Sequence, residues 1–311
     1  IIIIKCGDWF VDAASWFAEI SGIPKLIVGA TIVSLATTLP ELLVSLFAAI
    51  SAKTQSNPEL VDMAIGNAVG SVTANTGLIL AIALICIPTA IKRSEYALKS
   101  VLLICASLVI ALFGKFFNGV GILASICLLI IFGIAMCENI FMAIKNTKKE
   151  KELHLEEITK KIPEKSRKTI FINILKFITG AIGIVVGAEL LKNNGQKLAE
   201  MCGVPTRIIS VTIIAIGTSL PELVTTITAI VKKQASLSAG NIIGANIIDL
   251  TRRCGGNLPM TGAVSTIDLP ACFIVTIVAL IPTLITKKFS KIQGILLLIL
   301  YICYVVLTSV S

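Results

Sequence analysis

What most constrains this chain is its succession of apolar runs, each about as long as the roughly 20 residues a helix needs to cross the hydrocarbon core of a bilayer. Leu269–Thr286 contains no charged residue, and none occurs from Ile292 to Ser311. Runs of this kind can be drawn at 1–20, 24–52, 60–87, 96–113, 118–144, 169–200, 205–231, 236–251, 266–285 and 291–311. In lipid every backbone donor and acceptor must be satisfied internally, which a helix does within one segment. The expected fold class is therefore an all-α integral membrane protein with about ten transmembrane helices. Composition agrees, because only 14% of the 311 residues are charged while 56% are hydrophobic, against about 25% charged in soluble domains. The length leaves no room for a large soluble domain, so function is expected inside the membrane or at its edges.

One long polar stretch, Lys145 to Lys168, interrupts this pattern with nine Lys or Arg against five Glu. It divides the chain into a first set of five apolar runs over 1–144, a linker over 145–168 and a second set over 169–311. Basic loops face the cytoplasm, which places the linker inside. Counting spans outward brings Lys92, Arg93 and Lys99, then Lys232 and Lys233, then the lysines of 287–291 to the same side. Both termini then fall outside, as expected of a multi-pass protein of the plasma membrane. The formal charge of +9 reads as this topology, not as a nucleic-acid surface. The first residues, with Lys5, Asp8 and Asp12, read as the tail of a first span. The nine cysteines contain no CxxC pair and mostly lie in apolar runs, where Cys behaves as a small hydrophobe.

Sliding the chain along itself by 181 residues reveals an internal repeat. Gly22-Ile23-Pro24 and Thr37-Thr38-Leu39-Pro40-Glu41-Leu42 fall on Gly203-Val204-Pro205 and Thr218-Ser219-Leu220-Pro221-Glu222-Leu223. After a seven-residue loop difference, Gly66-Asn67-Ala68-Val69-Gly70 falls on Gly240-Asn241-Ile242-Ile243-Gly244, and Asn75 on Asp249. Equivalent helices lie five spans apart, an odd number, so they cross the bilayer in opposite directions. Two inverted five-helix repeats are expected, an architecture of secondary transporters.

Glu41 and Glu222 each follow a proline within an apolar run, where a carboxylate is expensive unless partnered or hydrated. The proline removes a backbone donor and clashes with the preceding turn, which is expected to free the carbonyls of Ser34 and Ala215. Thr37 and Thr38 precede Glu41 by four and three residues, on the same helical face, as Thr218 and Ser219 precede Glu222. Carboxylate, hydroxyl and carbonyl oxygens together suit a hard cation such as calcium or sodium. Gly66, Gly70, Gly240 and Gly244 stand at small-xxx-small spacing, which fits close helix packing better than ligand binding. Ser71 precedes Asn75 by four residues and Ala245 precedes Asp249 by four. Glu41, Asn75, Glu222 and Asp249 would surround one midplane cavity. A buried carboxylate capping a kink, or Asn75 and Asp249 merely joining helices, is the competing reading.

ATTLPE at Ala36 to Glu41, GTSLPE at Gly217 to Glu222, and the paired GNAVGS and GNIIGAN segments resemble the two alpha-repeats of the calcium/cation antiporter superfamily, in particular its prokaryotic-type sodium/calcium exchanger branch. The resemblance covers most of the chain. It implies ten spans in a five-plus-five arrangement, with Glu41 and Glu222 as central calcium and sodium ligands and Asn75 and Asp249 completing a diamond of sites. Thr37, Thr38, Ser71, Thr218, Ser219 and the carbonyls of Ser34 and Ala215 would support sodium. The chain departs from the pattern at Ala36, which replaces a glycine, at Val72, where the second repeat has Asn246, and at Ala245, which lacks the hydroxyl of Ser71. Leu250–Leu258, with Arg252 and Arg253, is three residues shorter than its apolar counterpart Thr76–Ile87.

The leading expectation is an antiporter exchanging calcium for sodium by alternating access. The alternative is calcium/proton exchange at the same carboxylates, and the hydroxyls beside them favour sodium. An intramembrane enzyme is disfavoured: there is no HExxH or GxGD motif, and the sole histidine, His154, lies in the linker. A channel would not need a kinked inverted repeat. No cofactor is expected beyond the transported Ca2+ and Na+ (or H+), and the partners are inorganic cations and the bilayer. Monomer or oligomer stays open.

Overall fold

The structure, a computed structural model, describes residues 2–39, 42, 68–86, 93–116, 119–154, 166–203, 215–251, 258–259 and 264–310. Among these the helices are α1 (Ile2–Ser21), α2 (Lys25–Leu39), α3 (Ala68–Cys86), α4 (Arg93–Phe116), α5 (Ile122–His154) and α6 (Arg167–Met201). They continue with α7 (Ala215–Thr218), α8 (Leu220–Val231), α9 (Ala235–Thr251), α10 (Leu269–Thr286) and α11 (Lys291–Val310). Among the described residues six helical stretches are long and apolar enough to cross a bilayer, with α2 and α8 as shorter apolar helices. The chain is an all-α membrane protein. The one strand pairing among the described residues joins Gly119–Val120 to Leu258–Pro259, antiparallel.

The repeat is written into the turns as well as the helices. Gly22 (φ 69°) and Gly203 (φ 75°) hold equivalent positions just after α1 and α6, a left-handed conformation that glycine adopts without a Cβ penalty. Pro24 then sits at the N-cap of α2. The packing obeys the same equivalence. α1 lies along its counterpart α6, and α4 lies along its counterpart α10. Self-equivalent pairs of this kind are what a pseudo-two-fold axis between two halves produces.

Two apolar cores result. One joins α3, α4, α9, α10 and α11 through residues such as Leu80, Leu103, Ile243 and Leu297, with Tyr96 and Phe289 edge to face at 5.4 Å. The other gathers around α1, where Phe10 stacks on Phe177 at 4.6 Å. Outside them, Val101, Leu108, Ile130, Ile178, Leu296 and Val306 are exposed, an apolar surface suited to lipid.

The apolar part of α5 ends at Lys145, close to the expected 144, while the helix itself runs on to His154, because the Lys- and Glu-rich start of the linker is itself made of good helix formers. One expectation changes. Lys99, counted above as a loop charge, is buried in α4 and forms an ion pair with Glu138 of α5. The stretch 252–257, with Arg252 and Arg253, lies outside the described residues.

Candidate cation site

Glycines let α2 and α9 approach closely enough to build a wall of the site. A Cβ on Gly240 would collide with the carbonyl oxygen of Leu26, and one on Gly29 with that of Leu237. On Gly244 it would lie 2.5 Å from Ala30 O and 2.6 Å from Ser34 Oγ. The packing role expected of Gly240 and Gly244 is thus realised. A Cβ on Gly70 meets no described atom within 4 Å; Gly66, and residues 204–214 of the helix that the repeat sets against these two glycines, lie outside the described residues.

α2 widens into π-helix over Gly29–Val33 just before Ser34, and α3 does so over Asn75–Leu80. A π turn interrupts the regular i→i−4 ladder and recurs at functional sites. The second half carries an interruption at its motif. The helix breaks at Ser219 (φ −90°, ψ 9°) between α7 and α8, and Pro221 falls in the first turn of α8, where its missing N–H costs nothing. Glu222 is in the same turn, near the positive end of the helix dipole.

Ser34, Thr37, Thr38, Ser71, Asn75, Ser219, Glu222 and Asp249 are all buried, and Thr218 is half-buried. Thr38 Oγ1 donates to Glu222 Oε1 at 3.1 Å, a bond from the first half to the second. Thr37 and Asp249 also lie near enough to act on the Glu222 carboxylate. Glu222 Oε2, Ser219 Oγ and both amide atoms of Asn75 have no hydrogen-bond partner among the described residues. By the repeat, Ser219 stands to Glu41 as Thr38 stands to Glu222, but Glu41 is outside the described residues, as is the side chain of Ala215. The Ser34 carbonyl, expected to be free for a ligand, accepts from Thr37 Oγ1 at 3.2 Å and keeps a second lone pair.

Four more side chains belong to this polar core. Asn241 Nδ2 donates to Thr225 Oγ1 at 3.0 Å, Asn241 Oδ1 lies 3.3 Å from Thr37 Oγ1, and Asn246 Nδ2 donates to Thr76 Oγ1 at 2.7 Å. The repeat does not flag Thr225, Asn246 or Thr76, because Val44, Val72 and Leu250 occupy the equivalent positions. Asn241 sits inside the GNIIG motif and has Asn67 as its counterpart, a signal hidden by the glycines around it. Among the described residues no three His, Cys, Asp or Glu side chains form a metal cluster. The candidate donors among the described residues are two carboxylates, Glu222 and Asp249, with neutral oxygens around them. Burial makes unpartnered oxygens costly, and such a set matches a dehydrated hard cation carried as substrate.

The sequence model of the sodium/calcium exchanger protein family matches residues 1–141 and 172–310. The uncharacterised membrane protein MJ0091 of Methanocaldococcus jannaschii is 30% identical, covering 97% of this chain and 93% of its own length. The sodium/calcium exchanger MaX1 of Methanosarcina acetivorans is 24% identical, with 98% and 95% covered. A structure of the sodium-calcium exchanger NCX_Mj soaked with Na+ and Sr2+ superposes with a TM-score of 0.77 at 26% identity, covering 98% of this chain and 95% of that one.

Proposed function

We propose, because this chain belongs to the sodium/calcium exchanger protein family, that it exchanges calcium for sodium at the buried site between α2, α3, α8 and α9. The chain is a cation transporter of the membrane, not an enzyme. The observation that carries the finer reading is the Thr38–Glu222 bond: hydroxyls of one half reach the carboxylate of the other, so both ion types would share one set of oxygens. Calcium, with two charges, draws on the carboxylates, whereas sodium, with one, is held as well by neutral hydroxyl and carbonyl oxygens. Glu222 and Asp249, with Glu41 assigned from the repeat, supply up to three negative charges that several sodium ions or one calcium ion would neutralise in turn. Competition for the same ligands is what couples the two fluxes.

In this reading Asn75 and Asp249 flank the glutamates, Thr37, Thr38, Ser71, Thr218 and Ser219 supply neutral oxygens, and the carbonyls of Ser34 and Ala215 complete the sodium positions. The halves 1–144 and 169–311 move against one another around this site, joined by a cytoplasmic linker at 145–168, with both termini outside the cell membrane. Calcium binding to the purified chain, titrated in the presence of increasing sodium, tests the shared site. Sodium is expected to raise the apparent Kd for calcium competitively, and a calcium affinity indifferent to sodium would refute it.

A further inference from the structure

The hydrogen bonds around Asn241 have directions that follow from the donors present. Thr225 Oγ1 lies 2.9 Å from the carbonyl oxygen of Pro221 and 3.0 Å from that of Glu222. Both are acceptors, so the hydroxyl proton of Thr225 goes to the backbone, and toward Asn241 it can only accept. Asn241 therefore turns its Nδ2 to Thr225, at 3.0 Å, and its Oδ1 to Thr37, at 3.3 Å. Thr37 faces two acceptors, Asn241 Oδ1 and Ser34 O, and its one proton is drawn to that side. The Glu222 carboxylate, near the same hydroxyl, is a rival acceptor, and a charge-assisted bond to it would be the stronger if the geometry let it form.

Asn241 is buried. With Thr225 and Ser238 it lines a seam against Phe10, Val11 and Ala14 of α1 that is too narrow for a water molecule, so its α1 side is dry. Position 44, equivalent to Thr225 in the first half, is Val44, so no hydroxyl at that place can anchor Asn67.

We propose that Asn241 is a positioning residue for sodium: anchored on Thr225, it holds the Thr37 proton away from Glu222, so that Thr37 presents a lone pair to the cation and the carboxylate stays open. This rests on the exchange reading above. Losing the arrangement penalises sodium more than calcium, because a monovalent ion depends more on neutral oxygens while calcium keeps the carboxylates.

The test uses the full chain in proteoliposomes, with calcium uptake measured against opposing sodium to obtain the half-saturating concentration of each ion. Asn241→Leu is expected to raise the ratio of sodium to calcium half-saturation about fivefold, the effect of one hydrogen bond. Thr225→Val, which keeps Asn241 but removes its anchor, moves the ratio in the same direction and carries the test should Asn241→Leu fail to fold. In a Thr37→Val background Asn241→Leu adds nothing, since its effect passes through that hydroxyl. An unchanged ratio in the single variants, or a full additional effect on Thr37→Val, overturns the proposal. A wild-type chain whose calcium uptake ignores sodium overturns the exchange reading itself, an outcome distinct from either.

Discussion

Glu222 keeps one carboxylate oxygen on Thr38 while Oε2 has no hydrogen-bond partner among the described residues. In the proposed reading, charge at this point is what a dehydrated cation recognises, and shape alone is not enough. Glu222→Gln preserves the side-chain volume and the Thr38 contact but removes the charge, so it is expected to lower calcium uptake more than about tenfold in a folded, monodisperse protein. Wild-type uptake by the purified variant would remove Glu222 from the site. Thr38→Val leaves the carboxylate in place and deletes one hydrogen bond, with an expected loss of calcium affinity of about fivefold. Isothermal titration of the two variants side by side separates the role of the charge from that of the bond. The residues in these predictions were legible from the doubled motif. Thr225 and Asn246 were not, since Val44 and Val72 break the equivalence that made the others visible.

At the scale of helices, the close approach of α2 and α9 depends on glycine. Gly240→Ala pushes a methyl group into the Leu26 carbonyl, and backbone cannot yield as a flexible side chain would. A loss of several kcal/mol is expected, about 1–3 from overpacking and more where the backbone must shift. Gly133→Ala in α5, where a Cβ would meet no described atom within 4 Å, is the matched control, expected to leave the midpoint of thermal unfolding in detergent unchanged or raised. Equal destabilisation by both would contradict the packing account. Between α4 and α5, Lys99 is 1% and Glu138 9% exposed. Removing one member of such a pair strands the other charge and costs about 3–5 kcal/mol, whereas replacing both is close to neutral. Lys99→Met is therefore expected to unfold at lower temperature than Lys99→Met combined with Glu138→Leu, and the reverse order would show the pair to be dispensable. This pairing could not be read from the chain, because a lysine beside Lys92 and Arg93 looks like a loop charge and its partner lies 39 positions away. The break at Ser219 was only half legible, since a proline signals an interruption without saying whether the helix bends or restarts.

For the whole molecule, the odd spacing of the repeats and the self-equivalent contacts of α1 with α6 and α4 with α10 describe two halves related by inversion across the bilayer. Fold class was the most legible level, because apolar run length alone restricts what lipid tolerates. Orientation rests on the nine basic residues of 145–168. In a background with the other cysteines replaced, Lys151→Cys is expected to resist an impermeant thiol reagent in intact cells and to react after lysis, and labelling in intact cells would invert the topology. The central claim is coupling. Radioactive calcium uptake into proteoliposomes under imposed sodium, potassium or proton gradients measures it directly: an outward sodium gradient is predicted to drive uptake while equal potassium and proton gradients do not. Uptake driven by the proton gradient and indifferent to sodium would contradict the account.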